Sequence, residues 1–372
     1  MTESKTLSAD APVPEATAAA PVAEPAAAAP EPVAAEAPAP ASAEPSVTAT
    51  AVGTDTKSVD KSDKSVADSK PAPSAETKSE ELWETPGWPL AADHPLRTFH
   101  ARLPSILESA GHSQIWGVTL STSTPAEFST LIILQKFLRS TAGDLETAAA
   151  NLEKTLKWRK SFGLDGIEDR SGVKDEDAFK GLGYITVVPS LPEPSVKGAE
   201  TSVNQIVTWN VYGAVSDIKT TFGDLDAFLR WRVDLMERAM ARLDLASATT
   251  PIPDYPAPED PHRLLQVHVY SGLSFLRLPP EVKAASKATI ELMGAHYPET
   301  LSRKYFVGVP RLMGWVFGFV RMFVSRETAR KFNVVSWEEQ LQPELGEKEY
   351  VPQRFGGSGP ELAELQAKTK DM

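Results

Sequence analysis

Apolar and polar positions alternate along Leu264-Leu265-Gln266-Val267-His268-Val269-Tyr270, and this predicts a β-strand with two different faces. Leu265, Val267 and Val269 share one face; Gln266, His268 and Tyr270 share the other. Shorter runs at Tyr184–Val188, Ile206–Val211 and Arg303–Val309 also read as strands, being rich in β-branched and aromatic residues. Helical spacing takes over elsewhere. Thr124 before Pro125 marks a helix start, with the run continuing to about Thr141. Asp144 caps a second helix bearing Leu145, Ala149, Leu152 and Leu156, and Asp224 caps a third over 224–243. Pro279 and Pro280 open a helix to about Met293, and Leu312–Val324 reads as a very apolar helix. A helix-rich stretch from His94 to Gly111 is expected to break at Pro104.

Helices gather before Gly183, and strands alternate with helices after it. This predicts an α/β fold: a helical lobe at about 90–175, then a domain at 176–357 with a mainly parallel sheet. Composition adds a tail. Residues 1–80 hold 22 alanines and 11 prolines, no Phe, Trp, Tyr or Ile, and one leucine, Leu7. Such a segment buries too little apolar surface to offset the entropy of ordering, so residues 1–84 are expected to be disordered. Glu3 and Asp10 argue against a basic targeting leader. Residues 358–372 are expected to be frayed.

Charge and cysteine content exclude several functions. The chain of 372 residues carries a formal charge of −12, against a nucleic-acid partner. It has no cysteine, so disulfides, thiolate metal sites and thiol catalysis are ruled out. No phosphate-binding glycine loop, no HExxH and no GxSxG elbow occurs, and the six histidines are scattered.

Three features carry candidate chemistry. His268 and Tyr270 stand two residues apart on one strand face, which either meets water or lines a ligand cavity. Arg232 falls on the apolar stripe of helix 224–243, seven residues after Leu225, where a guanidinium needs an acid, a bound anion or a route to the surface. The helix at 312–324, flanked by Arg311 and Arg321, is far too short to span a bilayer; it is either core, or faces a ligand tail or a membrane surface.

Several motifs in order resemble the CRAL-TRIO lipid-binding family. They are Lys136-Phe137-Leu138-Arg139, Trp158-Arg159, Tyr297-Pro298-Glu299, Tyr305-Phe306-Val307-Gly308-Val309-Pro310, Ser325-Arg326-Glu327-Thr328 with Lys331, and Val351-Pro352-Gln353-Arg354-Phe355-Gly356-Gly357. Thr208-Trp209-Asn210-Val211-Tyr212-Gly213, "RWRVDLME" around Arg232, and Val267-His268-Val269-Tyr270 are most similar to its fungal non-classical phosphatidylinositol transfer branch, the fifth homologue. The resemblance implies an apolar pocket on the sheet, with helix 312–324 as a gate. It implies phosphatidylinositol as ligand, a membrane surface as peripheral partner, and no catalysis. It also implies haem b as cofactor, with Tyr270 as the iron ligand and His268, Arg232 and Lys304 lining the site. Thr141 falls where haem-binding relatives carry a further tyrosine. A cytoplasmic protein visiting endoplasmic-reticulum, microsomal or plasma membranes is expected, with links to phosphoinositide homeostasis and oxidant stress. A haem-dependent peroxide enzyme and a regulatory lipid-presenting module remain alternatives. No protein partner is indicated.

Overall fold

The computed structural model describes residues 85–164, 177–190, 203–257, 260–272, 279–309, 324 and 326–372. The Ala/Pro-rich tail and, apart from Val324, the helix expected at 312–324 lie outside these residues.

The first helix, α1, spans Pro95–Ala110. The His94 ring accepts the Leu96 N–H at its start, and Gly111 closes it in a left-handed conformation at φ 61°. It runs unbroken through Pro104, contrary to the sequence expectation. Pro104 is exposed, so water can serve the carbonyl that its ring leaves without a donor. A hairpin of β1 (Gln114–Ile115) and β2 (Val118–Thr119) follows. Next come α2 (Phe128–Ser140) and α3 (Leu145–Phe162), the latter capped by Asp144. Helix α2 starts at Phe128 with Glu127 before it; Thr124 is not its cap. Thr85 donates to the Ala126 carbonyl at 2.9 Å, and Ala126 is itself buried, so this tertiary contact fixes the segment outside the helix.

The second part contains β3 (Gly183–Ser190), β4 (Val203–Val211), a short α4 (Ile218–Phe222) and α5 (Leu225–Arg242). After β5 (Leu264–Val269) come α6 (Pro280–His296), β6 (Leu301–Val307), α7 (Arg326–Arg330) and β7 (Phe332–Val335). The strands form one sheet in the order β3-β4-β5-β6-β7. β3 and β4 are antiparallel, and every other neighbour is parallel.

The sheet has two distinct faces. Val267, Val269, Trp209, Tyr305 and Val307 pack on one side with Leu341, Val351 and Phe355. The chain after β7, including α8 (Gln342–Leu345) and α9 (Leu362–Lys368), supplies that covering layer. Residues after Gly357 are therefore ordered, not frayed. Leu362 and Leu365 are buried, Ile185 N–H donates to Gln366 at 2.7 Å, and Val187 N–H donates to Thr369 at 3.2 Å. These bonds cover the free edge of β3, where unpaired backbone would otherwise recruit another strand.

Candidate functional site: a cavity on the open sheet face

The other face of the sheet forms the floor of a cavity of about 1090 Å³. Gln266, His268 and Tyr270 point into it, as their alternation predicts. Register extends the pattern across strands. Asn210 stands opposite His268, and His268 opposite Phe306. Gln266 faces Lys304, and Lys304 faces Phe332. Helices α5 and α6 form walls through Phe228, Met236, Val282 and Ile290, and Phe222 of α4 adds to them.

The cavity has an aromatic end and a polar end. The aromatic end lies where β5 finishes. There the Tyr270 ring stacks on Phe306 at 6.2 Å between centroids, and Tyr212 stands 5.6 Å from Tyr270 and 5.4 Å from His268. Lys304 Nζ sits over the Phe306 ring at 5.5 Å and the Phe332 ring at 5.8 Å. Among the described residues Lys304 makes no ion pair. Burial, then the Arg232 charge, pushes its ammonium down to about 7. Burial, then Lys304 and Arg232, holds the His268 imidazole well below its ordinary range, so it is neutral. Burial also raises the Tyr270 phenol far above its usual value, so it keeps its proton.

Arg232 is 4% exposed and donates to the Asn210 side chain. That partner is neutral, and no carboxylate pairs Arg232 among the described residues. Arg232 Nε, Asn210 Nδ2 and His268 Nε2 are all buried without a hydrogen-bond partner. Three unsatisfied polar atoms together are costly unless something else satisfies them. The structure thus brings Tyr270, His268 and Lys304 together on the cavity lining, while Arg232, expected to line the site, is buried against Asn210 close to them and is not itself part of the lining. Thr141 does not join them. It ends α2, where its hydroxyl shares its single proton between the Leu138 carbonyl at 3.0 Å and the Asp144 carbonyl at 2.8 Å, and it does not line the cavity.

The polar end lies where β5, β6 and β7 begin. Arg263 and Lys331 immediately precede β5 and β7, Glu299 stands two residues before β6, and Arg139 reaches the same end from α2. Lys331 Nζ pairs with Glu299 at 3.6 Å. Arg139 donates to the Pro253 and Ala257 carbonyls, the latter at 2.7 Å. Arg139, Glu299 and Lys331 sit inside the sequence motifs and Arg263 does not, and periodicity gives none of the four a role. Their signal was the charge carried by short motifs at strand starts.

Residues 211–357 match the family model of the CRAL/TRIO domain. The chain is 60% identical over 281 residues to the "Phosphatidylinositol transfer protein SFH5" of Cryptococcus neoformans var. neoformans serotype D (strain B-3501A), covering 75% of this chain and 92% of the relative. It is 43% identical over 307 residues to the protein of the same name from Phaeosphaeria nodorum, covering 82% and 88%. A crystal structure of Sfh5 superposes with a TM-score of 0.58 at 24% identity, over 74% of this chain and 92% of that one, a likeness in fold. Among the described residues no helix is long and apolar enough to cross a membrane. A helical lobe, a five-stranded sheet among the described residues with a cavity on one face, and this degree of identity together place the chain in the CRAL/TRIO family, alongside the fungal SFH5 proteins.

Proposed function

We propose that the protein binds phosphatidylinositol, exchanges it between membrane surfaces, and accepts haem b in the same cavity. The observation that carries the lipid reading is the cavity's division into an apolar body and a polar end. Acyl chains match walls of Phe222, Phe228, Met236, Val282 and Ile290. A phosphodiester suits Arg139, Arg263 and Lys331, and the Glu299 carboxylate can accept from an inositol hydroxyl. A choline headgroup has no hydroxyl to donate. The name carried by the SFH5 relatives supports the same ligand. Exchange needs a dry cavity and a headgroup anchor, with no bond-making residue. The protein then works in the cytoplasm and meets endoplasmic-reticulum, microsomal or plasma membranes peripherally, serving phosphoinositide homeostasis.

The aromatic end fits haem b. The orphaned Arg232, Asn210 and His268 atoms await polar partners, and Lys304 awaits an anion. When bound, haem b supplies ferric iron as a Lewis acid. Tyr270 would give up its phenol proton and ligate that iron, helped by the nearby Arg232 charge. Lys304 and Arg232 would offset the propionates. Neutral His268, whose ring centroid is 6.4 Å from that of Tyr270, would offer the bound group a hydrogen-bonding nitrogen on the same wall. Such a site gives the protein a means of responding to oxidants.

Two measurements test these readings. The full chain should move labelled phosphatidylinositol between vesicles, and Lys331→Ala should slow it; absence of transfer by the unmodified chain overturns the lipid reading. Haemin should give the full chain a Soret band that Tyr270→Phe lacks with its circular dichroism intact. An equal band in both overturns the haem reading.

A further inference from the structure

Lys136 is fully buried on α2, in a place where no ligand reaches it. Its ammonium makes three bonds: to Asp260 Oδ2 at 2.8 Å, to the His262 carbonyl at 2.8 Å and to the Glu299 carbonyl at 2.9 Å. The Lys136 and Asp260 side chains are both 0% exposed. Asp260 is itself a hub. Its second carboxylate oxygen accepts the His262 N–H at 2.9 Å, and its carbonyl accepts Arg263 Nε at 3.0 Å.

Each branch ends on the polar end of the cavity. One runs from Lys136 through Asp260 to Arg263. Another runs from Lys136 to the backbone of Glu299, whose carboxylate meets Lys331. The third is α2 itself, which carries Arg139 three residues on from Lys136. Glu299 has φ 52°, a left-handed conformation that a residue with a Cβ avoids unless it is held there. The Lys136 ammonium grips the carbonyl of that residue.

Stability alone does not require this arrangement. A buried ion pair can often be exchanged for apolar side chains of like volume with little or no loss of stability. An apolar replacement cannot, however, donate to the Glu299 and His262 carbonyls. Resting on the phosphatidylinositol reading, we infer that the Lys136–Asp260 pair is a positioning device that holds Arg263 and Glu299 in place, and so sets headgroup selectivity without touching the ligand.

The test is competitive loading of the full chain from vesicles holding equal amounts of phosphatidylinositol and phosphatidylcholine, read by mass spectrometry of bound lipid. Lys136→Met/Asp260→Leu preserves volume and removes every bond of the two side chains, leaving the Asp260 carbonyl that meets Arg263 on a backbone no longer anchored by the pair. It should bind as much total lipid while its preference for phosphatidylinositol falls about tenfold, the worth of one charge-assisted hydrogen bond. Asp260→Asn, a near-isosteric change, should move the preference in the same direction and serves if the double variant fails to fold. Leu152→Ala, a core truncation in α3 far from these bonds in the chain, should lower stability and leave the preference unchanged. A wild type with clear preference and a folded variant that retains it would overturn the inference alone. So would an equal change in Leu152→Ala. A wild type without preference would overturn the phosphatidylinositol reading and this inference with it.

Discussion

Replacing Lys304 by methionine should stabilise the lipid-free protein at low pH and not at high pH. Lysine in an unfolded chain stays protonated to 10.5, whereas in the cavity the ammonium titrates at about 7. Between those values the unfolded chain holds more protons, so stability rises with pH. The penalty is complete below pH 7 and gone above 10.5. At about 1.4 kcal/mol per pH unit its ceiling is about 5 kcal/mol, and dielectric relaxation around the buried charge reduces it to roughly 2–3 kcal/mol. Methionine keeps the length of the stem and its packing on Phe306 and Phe332, so the charge is the main change. Urea unfolding of wild type and variant at pH 6 and pH 10.5 reads the difference. The variant should be more stable by roughly 2–3 kcal/mol at pH 6, and the two should nearly coincide at pH 10.5. An anionic ligand restores the ammonium, so its binding at pH 8 should take up close to one proton in the wild type alone. A stability difference that is the same at both pH values would refute the reasoning.

Two other changes test the frame that holds the cavity. Arg159 forms a buried two-bond pair with Glu237 at 2.7 and 2.9 Å, and the Tyr297 hydroxyl donates to the same carboxylate at 2.6 Å. Glu237→Gln leaves the guanidinium uncompensated and should cost about 3 kcal/mol in urea unfolding; a loss below about 1 kcal/mol would contradict this role. Removing residues 360–372 exposes the β3 edge and takes away buried Leu362 and Leu365, which should cost roughly 3 kcal/mol and promote association seen by size-exclusion chromatography. An unchanged elution and unfolding midpoint would mean that α9 is dispensable.

The aromatic end was legible because strand alternation is local. The six residues of β5 and Tyr270 just after it suffice to separate Leu265, Val267 and Val269 from Gln266, His268 and Tyr270, and the structure keeps that separation. Arg232 was legible as a misfit on an apolar stripe, but its Asn210 partner was not, since that depends on the register between β4 and β5 and on how α5 crosses them. The polar end was hidden for the same reason. Arg139, Arg263, Glu299 and Lys331 come from four separate segments, and only the parallel strand order brings their starts together. Local rules misplaced the start of α2 and the break in α1, where Ala126 burial and the exposed face at Pro104 decide. The C-terminal helix had a signal in the spacing of Leu362, Leu365 and Thr369, and its order comes from the β3 edge that it covers.

The central claim is that lipid travels inside the cavity. Thr289 lines it from α6 and is half-buried, so Thr289→Trp would push an indole into the space that an acyl chain needs above the sheet. Vesicle-to-vesicle transfer of labelled phosphatidylinositol should be lost in this variant while its circular dichroism and unfolding midpoint stay near those of the wild type. Transfer at the wild-type rate by a folded Thr289→Trp protein would contradict the account.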